Sequence, residues 1–346
     1  MLVSLSLTDE GWTAQALIHL TMYPVVLSLL VPMASAAYAS PSITGLPSAA
    51  IRRQQGLFAS AGPAAATPVT TVLSVSAFDQ LKSDLETIAT RSGATLGISL
   101  QELSGPRRNT VSLNGDQSFY AASTYKLPLL MAEAQQVASG QTSPSDVLCF
   151  DPSDAEDGWF DDYEVGSCFT RDELVQRAGR YSDNTAAHIL VRYLGGPDAL
   201  NSYANAIGMT GSALWIPNTT TPDDLTAAWV SEALGRLGGA PAQRWLFPVL
   251  THTANEEGIP AGLPASATVV HKVGTMYWTE NDAAYIVDGP ITYVLSVSVE
   301  GLDEAAGWSL IAQVSARIWQ YELSRPAFVA PGVATPAAPA VVLNHH

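Results

Sequence analysis

The sequence predicts an α/β (α+β) fold: a five-stranded antiparallel sheet flanked by N- and C-terminal helices, with an all-helical subdomain inserted between strands 2 and 3. Three observations carry this reading. Apolar residues recur at helical spacing at both ends of the body; short apolar runs of strand length follow the first helix and precede the last; and the stretch between is helical in pattern, broken by Gly and Pro.

Residues 1–39 contain an apolar stretch that ends in the small-residue pattern Ala34-Ser35-Ala36, as expected of a cleaved signal peptide or a membrane anchor. Asp9 and Glu10 precede it, and the first basic residues, Arg52 and Arg53, follow it, an order that runs against the positive-inside rule for an anchor. Residues 40–74 are rich in Ala, Pro, Ser, Thr and Gly and read as a flexible linker, like the tail over 325–346. The body spans 75–324. It opens with an amphipathic helix around Phe78 to Ile88, a strand from Thr95 to Leu103, a turn, and a hairpin partner from Thr110 to Leu113. The helical subdomain occupies about 123–239. Three apolar runs, Thr268 to Val273, Asp282 to Val287 and Ile291 to Val299, supply the remaining strands, and an amphipathic segment from Glu304 to Leu323 closes the body.

The chain has 346 residues, 47% of them hydrophobic and 14% charged, and a net charge of −16. That charge excludes nucleic acid and anionic membrane surface as partners, because either needs a basic face. Lys82, Lys126 and Lys272 are the lysines; arginine supplies every other basic side chain. A lysine can lose its proton near neutral pH and an arginine cannot, so these positions draw attention. Cys149 and Cys168 are the two cysteines; they read as a disulfide closing a loop of about 20 residues, or alternatively as two buried thiols. No histidine accompanies them at metal-ligand spacing, and neither metal nor cofactor is expected. A monomer is expected.

Three short motifs carry chemistry. In Ser123-Thr124-Tyr125-Lys126 the serine opens a helix and the lysine follows one turn later on the same face, so a base stands beside a hydroxyl nucleophile. Ser182-Asp183-Asn184 places a hydroxyl and an amide side by side, suited to proton relay and carbonyl recognition, although the tripeptide also makes a good helix cap. His271-Lys272-Val273-Gly274-Thr275 ends a predicted strand, with Lys272 as an anion anchor, Gly274 allowing close backbone approach, and His271 on the opposite face as support. Each alone is also compatible with a cap, a surface lysine or an ordinary strand end.

Together, in this order and context, they resemble the class A β-lactamases and the wider penicillin-recognising active-site serine hydrolases, over roughly Val75 to Ser324. Thr219-Thr220-Thr221-Pro222 and Asn281-Asp282 extend the match. The resemblance implies acyl transfer, with Ser123 as nucleophile, Lys126 as base, Ser182 as relay to the leaving nitrogen, Asn184 on the substrate amide, and Lys272, Gly274 and Thr275 at the substrate carboxylate and oxyanion. The implied substrate is a small-molecule β-lactam or a peptidoglycan-like amide, and the implied location is the cell envelope or exterior. A cell-wall D,D-peptidase or transpeptidase and a non-turnover penicillin-binding protein share these motifs.

The chain departs from that family in three places. The family's deacylating glutamate lies between the second motif and the T-T-P segment, where Asp198 is the sole acid between Ala187 and Pro222. Val273 replaces a usual hydroxyl residue. No arginine occurs between Arg244 and Arg317 to meet a substrate carboxylate. The acidic stretch between the cysteines, which includes Glu156 and Asp157, is expected near the rim of the site mainly as solvated surface, with a replacement base as the alternative. Trp159, Trp215 and Trp278 are expected chiefly in core packing.

Overall fold

A computed structural model describes residues 76–325. The segments expected as signal or anchor (1–39) and as linker (40–74) lie outside the described residues, as does the tail apart from Arg325. That residue is not part of a free tail: its guanidinium pairs with buried Glu102 at 2.9 Å and donates to the Ser104 carbonyl.

Helix α1 (Ala77–Ser92) is capped by the Ser76 side chain, which accepts from the Asp79 amide, and it ends at Gly93 in the left-handed region. Strands β1 (Thr95–Glu102) and β2 (Thr110–Leu113) follow, then a short β3 (Phe119–Tyr120). Helix α2 (Lys126–Ala138) enters the helical region, which continues through β4 (Val147–Cys149), β5 (Cys168–Thr170), α3 (Arg171–Arg180), α4 (Asn184–Leu194), α5 (Pro197–Ala206), β6 (Thr219–Thr220), α6 (Pro222–Ala233) and α7 (Gly239–Leu246). Strands β7 (Thr268–Met276), β8 (Thr279–Asp288) and β9 (Ile291–Glu300) return to the sheet, and α8 (Glu304–Ser324) closes the body.

The sheet is antiparallel, in the order β2-β1-β9-β8-β7, so the chain's early and late strands meet where β1 pairs with β9. This is the predicted architecture. The insertion differs in one respect from an all-helical one: β4 and β5 form a ribbon, and β3 pairs with β6. Runs this short carry too little periodicity to be read as strands. Cys149 and Cys168 face each other across the β4–β5 ribbon and form the disulfide.

Side chains alternate between two apolar bodies on either side of the sheet. Val270, Ala283 and Val294 face the helical region with Leu127, Leu130, Leu190 and Trp229. Val269, Ala284, Ile286, Leu295 and Val297 face α1 and α8 with Leu81, Leu85, Trp308 and Ile311. Strand β7 is an edge, and its outer side runs past the entry to α2. Among the described residues no helix is long and apolar enough to cross a membrane.

Candidate active site

Ser123 lies in a tight turn, Ala122–Tyr125, that leads directly into α2. Ala122 has a φ of 47°, a region non-glycine residues seldom occupy, and its surroundings hold it there. The Thr124 amide and hydroxyl both donate to the Ala121 carbonyl, the Asn218 amide group donates to the Ala122 carbonyl at 2.9 Å, and Ala121 N–H donates to the Asn218 carbonyl. The turn therefore has one geometry, with the serine hydroxyl facing Lys126.

Lys126, the first residue of α2, is fully buried. Its Nζ lies 3.1 Å from Ser123 Oγ, 2.6 Å from Asn184 Oδ1 and 3.3 Å from Ser182 Oγ, and donates to the Ser182 carbonyl. Burial, and then the neighbouring charge of Lys272, hold this amine well below the usual lysine range; Asp183 and Glu156 act against them. A neutral amine has two N–H bonds. They are used by the Ser182 carbonyl and Asn184 Oδ1, which leaves the nitrogen lone pair for the Ser123 hydroxyl proton.

Ser182 is a second non-glycine residue at positive φ, 58°. Its hydroxyl accepts from Lys272 Nζ at 2.9 Å while lying beside Lys126, so it bridges the two lysines. Lys272 reaches this point because it sits on the helical face of β7 and is buried; burial pushes it down to about 7, with Asp282 opposing. His271 points the other way, as strand alternation requires. It is buried against Asp282 at 2.9 Å and Glu256 at 3.1 Å; burial pushes it down, but those carboxylates raise it to about 9 overall. Gly274 brings β7 against the nucleophile turn: a Cβ there would meet the Ala121 carbonyl oxygen at 2.7 Å and the Ser123 nitrogen at 2.9 Å. Thr275 follows at the cleft wall.

Asp183, given no role in the sequence reading, is the organiser of the disulfide loop. Its buried carboxylate caps α4 by accepting from the Ala186 amide, and it also accepts from the Trp159 amide at 2.9 Å, the Phe160 amide and the Tyr163 hydroxyl at 2.7 Å. Gly158 permits this contact, since a Cβ there would lie 2.4 Å from Asp183 Oδ2. Glu156 is fixed by reciprocal bonds to Thr185: its amide donates to Oγ1 at 3.0 Å, and that hydroxyl donates to its carbonyl at 2.8 Å. Asn184 donates to the Asp157 carbonyl at 2.7 Å, so its amide is shared between the loop and Lys126. The loop therefore forms a wall of the cleft. Most of the stretch is exposed, and within it Glu156 and Asp157 line a cleft of about 820 Å³ together with Ser123, His188, Trp215 and Ile216. Asp154 and Asp162 are used structurally, on Arg192 and Arg177.

Trp159, 66% exposed, and Trp278, 67% exposed, depart from core packing: Trp159 lines the cleft and Trp278 sits in the β7–β8 turn, whereas Trp215 lines the cleft while packing against the core of the helical side. A second branch of the cleft, bounded by Lys272, Gly274, Thr275, Tyr181, Asn255 and Arg180, meets the first at Ser123. Arg180, at the C-terminal end of α3, borders this branch, and its guanidinium donates to the Pro248 carbonyl at 2.8 Å. Asp198 lies in the first turn of α5 and is not among the residues lining the cleft. Sequence reasoning missed His188, one turn beyond Asn184 on α4. The spacing of these two residues was the available signal.

A family model described as the beta-lactamase enzyme family matches residues 80–322. Beta-lactamase OXY-1 of Klebsiella oxytoca is 31% identical over 237 residues, a match covering 60% of this chain and 76% of that protein. Among solved structures, an ancestral class A beta-lactamase aligns with a TM-score of 0.64 at 30% identity, covering 70% of this chain and 99% of its own. A variant of PBP-A, solved as an acyl-enzyme complex with penicillin G, aligns with a TM-score of 0.67 at 25% identity, covering 72% and 97%.

Proposed function

Because the chain belongs to the beta-lactamase enzyme family, we propose that it opens β-lactam amides through an acyl-enzyme on Ser123. It is a β-lactamase-like serine hydrolase. The observation that carries the residue assignment is the unbroken chain from Ser123 Oγ through Lys126 Nζ and Ser182 Oγ to Lys272 Nζ, with steps of 3.1, 3.3 and 2.9 Å. Lys126 takes the Ser123 proton as Oγ attacks the carbonyl carbon; Ser182 passes a proton to the departing nitrogen, and the positive charge of Lys272 favours that transfer. The Ser123 and Thr275 amides face the developing oxyanion, and losing one such donor typically costs ~3 kcal/mol of barrier. The substrate carboxylate enters the second branch, toward Lys272, Thr275 and Arg180. The disulfide supports export, since such a bond persists outside a reducing cytoplasm. The protein acts there as a monomer, released or tethered through residues 1–39.

A penicillin-binding peptidase with a long-lived acyl-enzyme is favoured by one observation. The wall formed by Ile216 and Asn218 carries no acid, because residues 199–222 contain none. Intact-mass measurement over hours after mixing with penicillin G separates the two. We expect a single adduct on Ser123 that decays; a permanent adduct assigns the peptidase reading. Lys126→Arg replaces the neutral amine by a permanently charged guanidinium with no lone pair to take the proton, and in protein shown by circular dichroism to be folded it is expected to form no adduct. Acylation by that variant would remove Lys126 from the role of base.

A further inference from the structure

Hydrolysis of an acyl-enzyme needs a group that accepts a proton from water, and the groups around Ser123 leave few choices. Lys126 has its N–H bonds fixed on the Ser182 carbonyl and Asn184, and its lone pair faces Ser123 Oγ, which is the ester oxygen of the acyl-enzyme. Lys272 is bonded to Ser182 and to the Val273 carbonyl. Asp183 has its carboxylate filled by four donors from the protein.

His188 remains. It follows Asn184 by one helical turn, so the two side chains share a face of α4, and both line the cleft that contains Ser123. Asn184 touches Lys126, which places the imidazole one turn further along the same wall. The ring is held against Trp215, with centroids 4.6 Å apart, and Trp215 in turn meets Tyr125 edge-on at 5.9 Å. Glu156 lines the same cleft and is held through its backbone by Thr185, which precedes His188 by three positions on the same helix. The charged groups acting on the imidazole are Glu156, Lys126 and Asp154. Burial holds it below the usual histidine range, Glu156 raises it and Lys126 lowers it, so it is neutral and basic at pH 7.

We infer that His188, supported by the carboxylate of Glu156, is the general base that deacylates the Ser123 acyl-enzyme. This rests on Ser123 being the acylated residue. A water oxygen bonds to the ester carbonyl carbon as its proton passes to His188. The carbon–Oγ bond then breaks, the proton returns from His188 to Ser123 Oγ, and the opened acid leaves with the enzyme restored. Glu156 stabilises the transient imidazolium.

The test is the lifetime of the penicillin G adduct in the full chain, followed by intact mass for wild type, His188→Asn and Glu156→Gln. Removing a general base typically slows its step by 10²–10⁴-fold. We expect His188→Asn to acquire the adduct and hold it at least ~100-fold longer than wild type. In wild type the decay rate should rise with pH through one ionisation below the usual histidine value. Glu156→Gln should slow decay and move that ionisation lower still, a shift that loss of loop structure alone would not cause. Equal adduct lifetimes in wild type and His188→Asn would overturn the inference, as would a permanent adduct in wild type. No adduct in wild type at all would instead remove Ser123 acylation, on which it rests.

Discussion

At Gly274 a single added carbon would collide with backbone that cannot give way: the Ala121 carbonyl and the Ser123 and Thr124 amides all lie within 2.9 Å of the missing Cβ. Gly274→Ala should therefore push β7 away from the nucleophile turn and widen the spacing between the Ser123 and Thr275 amides. A misplacement of about 1 Å can cost about 100-fold in rate. We expect acylation by a chromogenic cephalosporin, read by stopped-flow, to fall by roughly that factor; an unaltered rate would show that β7 can shift freely. Ser123, Lys126, Ser182, Asn184, Lys272, Gly274 and Thr275 were legible in the sequence because each belongs to a short motif whose spacing has a physical reason. Glu156, His188, Arg180 and the anchoring role of Asp183 were not. Their partners lie far away along the chain or on a loop whose path is set by contacts that no local pattern encodes.

The strands were legible as elements, but β7 and β8 each run about three residues further than their apolar runs suggest, to the turn at Tyr277 and Trp278. Polar residues such as Thr275, Glu280 and Asn281 continue the ladder because pairing register, rather than hydrophobicity, holds them. Both turn residues have positive φ, 54° and 62°, the geometry of a two-residue hairpin that favours Asn-Gly. Tyr277 gains a contact with Tyr120, at 5.2 Å between ring centroids, whereas Trp278 projects into solvent. Left-handed strain at a non-glycine residue costs about 1–3 kcal/mol. Trp278→Gly should thus stabilise the body, raising its melting temperature by ~2–4 °C per kcal/mol relieved. A calorimetric melt that falls instead would mean the indole is packed in a way its exposure conceals.

Across the whole molecule, buried carboxylates set the response to pH. Burial pushes Glu232, Glu280 and Glu322 each to about 7. The folded state then binds more protons than the unfolded chain between the ordinary carboxylate range and about pH 7, so stability is full on the acid side and is lost as pH rises through that window. The net charge of −16 acts in the same direction as deprotonation adds to self-repulsion. His188, Lys126 and Lys272, each held below its usual range, oppose this trend, Lys272 only as pH nears about 7. Melting temperature is expected to fall between about pH 5 and pH 7, less steeply in Glu232→Gln; a flat or rising profile would show that these carboxylates find partners. The division of the sheet between two apolar bodies has a mechanical consequence as well. Ser123 and Lys126 ride on the helical body, while Lys272 and Thr275 ride on the plate between the bodies, and the two are joined at the cleft by the close approach at Gly274 and by the Ser182 bridge. An acyl group fixed to Ser123 and hydrogen-bonded along β7 would add a further brace across that seam, one that hydrolysis removes.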